Sequence, residues 1–376
     1  MSKNSDYFVP WLKDAYSYNI DVLDMAWANP DVARLMLNEN PIPPSQKIID
    51  AVTEVCEKGN YYPDRWWNLR EKIGKAYGFG AKNVFLANGS SENIDNMMRV
   101  FLRPGDEVIL ATPTFTLFRV RASICGGKVV EVPLRESDLQ YDVDAMLAAI
   151  TAKTKLIVVV NPNNPTGIFI DDDDLRRILK TGIPTCIDEA YLAYHPEVPS
   201  KVPLVKEYPN AFTSHTLSKA HGIAGMRFGY LIAQEDIIEA FEQVGLPWNL
   251  SLMNLAAGEA ALEDTDHLAR KVKHNNDWMK RYYKAFKDMG LKPFEPHGNY
   301  MLVDANDFGL TSQEIYDKAM EDKVAVKIIE PIHGKAGYFR ITPGTDEENE
   351  RCLKTMRRIF VDEATLRNSR PPNRLA

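Results

Sequence analysis

The feature that most constrains this fold is a set of short apolar runs that alternate with helical segments through the middle of the chain. One run, residues 156–160, consists of leucine, isoleucine and valine without polar alternation, which is typical of a central strand buried on both faces. Strands and helices in alternation predict a mainly parallel sheet that is covered on both faces, and hence an α/β fold. The predicted strands span 107–111, 128–132, 155–160, 184–187, 211–216 and 228–233, and the predicted helices between them span 91–101, 115–124, 143–150 and 172–179.

The chain divides into three predicted regions. Residues 1–44 have weak periodicity and end in a turn rich in proline and asparagine, so we expect an arm that packs on the small domain and the active site. Residues 45–270 are expected to form a large domain around the parallel sheet. Residues 271–376 are expected to form a smaller α+β domain, with strands at 301–303, 324–328 and 338–342. A long helical region is expected to begin near residue 251, to break, and to resume up to residue 288.

Composition and charge exclude several classes of function. A net charge of −7 over 376 residues leaves no basic face for nucleic acid, and no uncharged apolar run is long enough to span a bilayer. The amino-terminal residues lack the apolar core of a signal peptide. The four cysteines are far apart and the seven histidines lack metal-ligand spacing, so we expect free thiols, no bound metal and a cytoplasmic location.

Polar clusters follow several of the predicted strands, at the end where ligands of open parallel sheets bind. They are residues 161–167 after the central strand, residues 188–191 after the next, and Lys219 after the strand at 211–216. A further cluster, residues 88–92, precedes a predicted helix. We therefore expect these side chains to converge on one crevice.

Two parts of that crevice suggest chemistry. Lysine beside an apolar strand is costly without a partner, and an amine held there is well placed to react with a carbonyl compound. At residues 89–91 a Gly-Ser-Ser sequence opens a helix, and the free N–H groups of a helix start bind anions. Hydroxyls at Thr216 and Ser218 and the planar guanidinium of Arg227 add donors suited to phosphate.

At this point the sequence resembles the pyridoxal-phosphate-dependent transferases of fold type I, the aspartate aminotransferase superfamily, and most closely the histidinol-phosphate aminotransferase group. The similar segments, in the order of that family, are 37–41 (Leu-Asn-Glu-Asn-Pro), 62–64 (Tyr-Pro-Asp), 88–92 (Asn-Gly-Ser-Ser-Glu), 113–115 (Pro-Thr-Phe), 163–167 (Asn-Asn-Pro-Thr-Gly), 188–191 (Asp-Glu-Ala-Tyr), 216–219 (Thr-Leu-Ser-Lys), 225–227 (Gly-Met-Arg) and 339–342 (Phe-Arg-Ile-Thr). The resemblance spans about 300 residues and implies the cofactor pyridoxal 5′-phosphate, bound in the large domain.

The resemblance implies a role for each matching residue around the cofactor ring. Lys219 would bind the cofactor aldehyde and later move the proton between the substrate carbon and cofactor atom C4′. The carboxylate of Asp188 would lie beside the pyridine nitrogen and favour the protonated ring, which makes the cofactor an electron sink. Asn164 and Tyr191 would hydrogen-bond ring atom O3′, and Phe115 would stack on the ring face.

The resemblance also implies the phosphate and substrate contacts. The cofactor phosphate would be held by Ser90, Ser91, Thr216, Ser218 and Arg227. Tyr62 would reach this phosphate from the neighbouring subunit, which implies a homodimer. Arg340 would bind the substrate α-carboxylate, and Asn40, with the arm before it, would close over the substrate.

The sequence departs from the family pattern at positions that would contact the substrate side chain. Lys327 stands where the histidinol-phosphate aminotransferase group usually has an arginine. The positive charge is kept, but the planar set of guanidinium donors is lost. Trp66 and Trp67 make the segment after Tyr62 bulkier than usual, and Trp248-Asn249 replaces an aromatic-asparagine run. These changes bear on the substrate and not on the reaction class.

We therefore predict an aminotransferase of amino-acid biosynthesis that moves an amino group from a donor to a 2-oxo acid, by resemblance 2-oxoglutarate. Histidinol phosphate is the first candidate donor, and an aromatic or broad-range amino acid is the second. A decarboxylase or lyase on the same scaffold, of the threonine-phosphate decarboxylase type, is a further alternative. A non-catalytic binding module is disfavoured because Lys219, Asp188 and Arg340 are all present.

Overall fold

Two β-sheets organise the computed structural model, which describes residues 3–18, 20–64 and 66–363. The strands are β1 (Ala33–Leu35), β2 (Val84–Ala87), β3 (Glu107–Thr112), β4 (Lys128–Pro133), β5 (Thr154–Val160), β6 (Thr185–Asp188), β7 (Ala211–Thr216), β8 (Gly229–Ile232), β9 (Lys292–Pro293), β10 (Met301–Asp304), β11 (Val324–Ile328) and β12 (Tyr338–Ile341). The helices are α1 (Asp21–Ala28), α2 (Gln46–Cys56), α3 (Trp67–Ala76), α4 (Ser90–Phe101), α5 (Leu117–Ile124), α6 (Val143–Ala148), α7 (Asp172–Leu179), α8 (Leu204–Glu207), α9 (Glu235–Val244), α10 (Leu252–Glu263), α11 (Thr265–Asp288), α12 (Ser312–Met320) and α13 (Asp346–Arg357).

The large sheet has seven strands in the order β2-β8-β7-β6-β5-β3-β4. Strands β7, β6, β5, β3 and β4 run parallel to one another, whereas β8 is antiparallel to both of its neighbours. Strand β8 reverses direction because the loop from β7 returns to the same edge, where the Leu217 amide donates to the Phe228 carbonyl at 3.0 Å. The sheet is therefore mainly parallel, as the alternating pattern predicts.

The central strand β5 packs against helices on both faces. Ile157 and Val159 belong to one apolar cluster that includes Leu175 of α7. Leu156 and Val158, with Val160, belong to a second cluster that contains residues of α4 and α5. This double coverage explains why the run has no polar alternation.

The small sheet has five strands in the order β1-β11-β12-β10-β9. Its edge strand β1 comes from the amino-terminal arm and pairs in parallel with β11, Ala33 opposite Val324. Neither β1 nor α1 is anticipated by the weak periodicity of the arm, because these short elements are stabilised by contacts with residues near position 325. The predicted break in the helical region lies at Asp264, between α10 and α11.

The proposed domain limits remain predictions. Helix α11 continues through positions 270 and 271, so the limit there would fall inside a helix. Within the described ranges, the structure contains no helix that combines the length and the apolar character needed to cross a membrane.

Candidate active site

The candidate site lies where the carboxyl ends of β5, β6 and β7 face the arm and strand β12. Asp188 is the last residue of β6, and Lys219 follows β7 after two intervening residues. Asn164 lies in the loop after β5, and Arg340 lies within β12. Hydrogen bonds through Asn38 and Tyr191 link Lys219, Asn164 and Arg340, so the structure brings these segments together.

Lys219 is half-buried, and its amine contacts the amino-terminal arm. Its Nζ donates to the main-chain carbonyl of Asn38 at 3.2 Å and lies 5.7 Å from the centre of the Tyr191 ring. Burial, with a smaller contribution from the positive charge of Arg340, lowers the pKa of Lys219 to about 8. A lysine with this pKa is partly neutral near pH 7, which an amine needs if it is to act as a nucleophile or a base.

Asp188 is a buried carboxylate, 3% exposed. Its Oδ1 accepts a hydrogen bond from the Ala190 amide at 3.0 Å. Burial raises the pKa of Asp188 to about 7, against the opposing effects of this hydrogen bond and of the Lys219 charge. A cationic ring nitrogen placed beside Asp188 would offset the free-energy cost of burying its negative charge.

The Tyr191 hydroxyl is shared by two amides. It accepts from Asn38 Nδ2 at 2.9 Å and from Asn164 Nδ2 at 3.3 Å. Arg340 Nη1 donates to the other side of the same Asn164 amide at 2.6 Å. Burial raises the pKa of Tyr191 to about 12, so the phenol is protonated at neutral pH.

Arg340 is buried, 7% exposed, and has donor capacity to spare. Its Nη2 donates to the Met36 carbonyl at 2.7 Å, and its Nε is buried without a hydrogen-bond partner. In the part of the chain that the structure describes, no acidic side chain lies within ion-pair distance of this guanidinium. A buried, unneutralised cation of this kind favours an anionic ligand.

Lys327 lies opposite Arg340 in the register of β11 and β12. Directly opposed residues of antiparallel strands project from the same face of the sheet. Burial and the charge of Arg340 lower the pKa of Lys327, and Glu330 raises it. Glu330 is itself paired with Arg119 at 3.4 Å.

The helix start at residues 89–91 adjoins Arg227. Arg227 Nη1 donates to Ser218 Oγ at 3.3 Å, and Nη2 donates to Ser91 Oγ at 3.5 Å. Thr216 Oγ1 donates to Ser218 Oγ at 3.0 Å. Three hydroxyls and a guanidinium therefore surround the amino terminus of α4.

Glycines allow these segments to approach closely. Gly89 has a φ of 71° and contacts the Arg227 guanidinium, which leaves no room for a side chain. A Cβ atom on Gly229 would lie 2.9 Å from the amide nitrogen of Ser90. The free N–H groups of the first turn of α4, beginning at Ser90, complete a candidate anion site.

Phe115 and Asn40 lie at the margins of this cluster. The Phe115 ring meets the Tyr18 ring edge to face at a centroid distance of 6.3 Å, and Thr114 Oγ1 donates to Asn163 Oδ1 at 2.8 Å. Asn40 Nδ2 donates to the Ala220 carbonyl at 3.4 Å, directly after Lys219. Stacking of Phe115 on the cofactor ring and closure of Asn40 over the substrate stay predictions.

Tyr62 lies on the surface, 76% exposed, and stacks on Trp248 at a centroid distance of 4.5 Å. The adjoining Asn249 carbonyl accepts from Asn88 Nδ2 at 3.4 Å, next to the anion site. Tyr61 and Leu246 are also strongly exposed. Tyr62 therefore belongs to an apolar surface beside the anion site rather than to the buried cluster.

Three contacting residues escape the sequence analysis: Asn38, Thr342 and Tyr300. Asn38 and Thr342 are mutually hydrogen-bonded, and Tyr300 donates to the Asn163 carbonyl at 2.6 Å while its ring meets the Tyr191 ring at 4.8 Å. Asn38 falls within the family-like segment 37–41, so that segment is the signal that could have found it.

The donor set fits pyridoxal 5′-phosphate. The amine of Lys219 suits its aldehyde, and the buried carboxylate of Asp188 suits a protonated ring nitrogen. An amide and a phenol suit its ring hydroxyl. The helix start with its hydroxyls and guanidinium suits its phosphate.

Known proteins share this fold and sequence pattern. The family model described as aminotransferase class I and II matches residues 30–356. Histidinol-phosphate aminotransferase of Brevibacillus brevis is 34% identical over 91% of this chain and 94% of its own length, and that of Bacillus velezensis is 35% identical over 91% and 95%. The crystal structure of histidinol-phosphate aminotransferase from Sinorhizobium meliloti in complex with pyridoxal-5′-phosphate superposes with a TM-score of 0.83 at 21% identity, covering 95% of this chain and 98% of that chain. The predicted fold class is confirmed.

Proposed function

The chain belongs to the class I and II aminotransferase family and is a pyridoxal-phosphate-dependent aminotransferase, and from that premise we propose that histidinol phosphate is its amino donor and 2-oxoglutarate its acceptor. The family assignment favours amino transfer over the lyase alternative. The relatives named histidinol-phosphate aminotransferase support this donor, at 31–35% identity.

The observation that carries the proposal is the pair of cations formed by Lys327 and Arg340. The two residues are opposite one another on β11 and β12, and burial lowers the pKa of each. Among the described residues, neither has a carboxylate in ion-pair contact. A phosphate monoester carries close to two negative charges at neutral pH. Two adjacent cations match that charge, whereas a carboxylate needs only the guanidinium fork of Arg340.

When bound, pyridoxal 5′-phosphate supplies an electron sink for the carbanion that forms at the substrate carbon. Around it we assign Lys219 to hold and move the proton, and Asp188 to keep a proton on the pyridine nitrogen. Tyr191 and Asn164 would hydrogen-bond the ring oxygen. Their hydrogen bonds to one another and to Arg340 support a fixed geometry.

The phosphate of the cofactor is assigned to the anion site at the start of α4. Its donors would be the first amides of the helix with the side chains of Ser90, Ser91, Thr216, Ser218 and Arg227. The Arg227 guanidinium already contacts two of these hydroxyls, so little reorganisation would be needed on binding.

Lys327 offers a direct test of the donor. In Lys327→Met, we expect the KM for histidinol phosphate to rise about tenfold or more, because one contact to a charged group is lost. The KM for histidinol or for an aromatic amino acid should change by less than about twofold, since these donors lack a phosphate to lose the contact. Lys327→Arg should restore binding of the phosphorylated donor.

The matched control is Lys280→Met, which removes an exposed lysine of α11. It should leave every donor unaffected. Equal rates with phosphorylated and unphosphorylated donors in the unchanged enzyme would overturn the histidinol-phosphate assignment and favour an aromatic or broad-range donor.

We further propose a cytoplasmic homodimer in which Tyr62 reaches the neighbouring cofactor phosphate. The exposed surface formed by Tyr61, Tyr62, Leu246 and Trp248 supports this assembly, because large exposed apolar patches mark interaction sites. The four free cysteines suit a reducing compartment.

A further inference from the structure

We propose that Asn38 is a positioning residue of this site. Its side chain makes the Tyr191 hydroxyl a hydrogen-bond donor toward the cofactor ring oxygen, and its main-chain carbonyl holds the Lys219 amine while that amine is not bonded to the cofactor. The inference rests on the cofactor assignment of the proposed function but is independent of the choice of amino donor. No sequence motif assigns this role to Asn38.

Every polar group of Asn38 is engaged. Its amide nitrogen donates to Thr342 Oγ1 at 3.2 Å, and its Oδ1 accepts from the same hydroxyl at 2.9 Å. Its Nδ2 donates to Tyr191 Oη at 2.9 Å, and its carbonyl accepts from Lys219 Nζ at 3.2 Å. The residue is buried, with a φ of 53°, a left-handed conformation that asparagine tolerates better than most side chains.

The direction of each hydrogen bond follows from its neighbours. Thr342 has one hydroxyl proton and already accepts from the Asn38 amide, so that proton goes to Asn38 Oδ1. The Asn38 side chain must then present its NH₂ group to Tyr191. In the same way Arg340, which can only donate, claims Asn164 Oδ1 and turns the Asn164 NH₂ group toward Tyr191.

Two N–H groups therefore point at one phenol oxygen. They occupy the acceptor side of Tyr191 Oη, and its single proton remains available for another acceptor. On the proposed function that acceptor is the ring oxygen of the cofactor. A donor there stabilises the ionised ring oxygen and so lowers the pH at which the bound cofactor loses its proton.

Asn38 also links the two sheets. The Thr342 amide donates to the Leu35 carbonyl at 2.9 Å, which anchors residues 35–38 to the end of β12. Tyr191 and Lys219 belong instead to the large sheet. The arm, which is anchored to the small sheet, therefore sets the hydrogen bonding of Tyr191 and Lys219 next to the large sheet.

The test is a pH titration of the visible absorption of the holoenzyme, without any amino donor. Asn38→Gly removes the side chain but keeps both main-chain contacts and suits the left-handed φ. We expect the titration midpoint to rise by about half to one pH unit, the size expected when one hydrogen bond to an ionising group is weakened. Thr342→Val, which frees the Asn38 amide to rotate, should shift it in the same direction by less.

A double-mutant cycle separates positioning from a general structural effect. In a Tyr191→Phe background the hydroxyl is absent, so Asn38→Gly should no longer move the midpoint. A shift of equal size in both backgrounds would overturn the proposal, and so would an unchanged midpoint in both Asn38→Gly and Thr342→Val.

His333→Gly serves as the matched control, because His333 is exposed and has a φ of 48° in a turn. It should leave the midpoint unchanged. Because the titration contains no donor, an error in the donor assignment would appear in the KM comparison of Lys327 variants and leave this result unaffected.

Discussion

The cofactor side and the substrate side of this site are built differently. On the large sheet, Asp188 ends β6 and Lys219 closely follows β7, so each functional group is placed by its own strand. On the small sheet, Arg340 donates to the carbonyl of Met36, a residue 304 positions away, and depends on the arm for its orientation. Local strand ends define the first side, and long-range pairing defines the second.

This difference indicates in which part of the site substitutions are tolerated. A group at a strand end keeps its position as long as the sheet persists, because the backbone hydrogen bonds hold it. A group held by a distant segment can be redirected by a single substitution in that segment. One departure from the family pattern, Lys327, lies on this second side, opposite Arg340.

The largest expected effect is on the cofactor side. Lys219→Ala should lower kcat by about 10⁴-fold, because the group that transfers the proton is removed. Steady-state rates with donor and 2-oxoglutarate would measure it. Lys280→Ala, an exposed lysine of α11, is the control and should retain full activity. A Lys219→Ala enzyme that keeps its rate would contradict the assignment of Lys219 to proton transfer.

The next effect separates the two sides. Arg340→Lys should lower kcat/KM for donor and acceptor alike by about 10²-fold, because the charge remains but the planar fork is lost. Bound cofactor, measured by visible absorption, should be retained. Loss of the cofactor together with substrate binding would mean that the two sides cannot be separated.

A further effect concerns the pH dependence of the stability of the cofactor-free protein. Burial raises the folded-state pKa of Asp188 to about 7, above its ordinary value of 3.8. The folded state therefore binds the extra proton, and the free energy of unfolding falls as pH rises between these two values. In Asp188→Asn, the fall between pH 4 and pH 8 should be smaller by about 4 kcal/mol.

Urea unfolding of the apoenzyme at the two pH values measures this difference. Glu189, whose pKa burial also raises to about 7, is present in both proteins. The Asp188 charge contributes least to that shift, so most of the Glu189 contribution cancels in the comparison. An identical pH dependence in the two proteins would show that Asp188 is charged at no cost in the folded state.

The smallest expected effect is at the proposed subunit boundary. Tyr62→Phe should weaken binding of pyridoxal 5′-phosphate to the apoenzyme by about tenfold, the loss of one hydrogen bond to a charged phosphate. Tyr61→Phe, which alters an exposed neighbour, should leave the affinity unchanged. If both variants bind the cofactor equally well, Tyr62 does not reach the phosphate.

Much of the large domain could be predicted from the sequence. Strand β7 spans the predicted 211–216, and α7 spans the predicted 172–179, because apolar periodicity reports directly on coverage by neighbours. Helix α5 begins at Leu117, two residues later than predicted, because Phe115 and Thr116 precede the first helical turn. The arm could not be predicted in this way, since β1 and α1 are stabilised by distant partners.

The sequence by itself determined the α/β architecture and the polar clusters at the strand ends, because these depend on consecutive residues and their spacing. Its resemblance to a known family indicated the cofactor class. Only the tertiary structure decided that Arg340 lies beside Lys327, and that Asn38 joins Tyr191 to Thr342. The two contacts of Asn38 join residues 153 and 304 positions apart. Their energies depend on distances through space, which the order of residues along the chain does not specify.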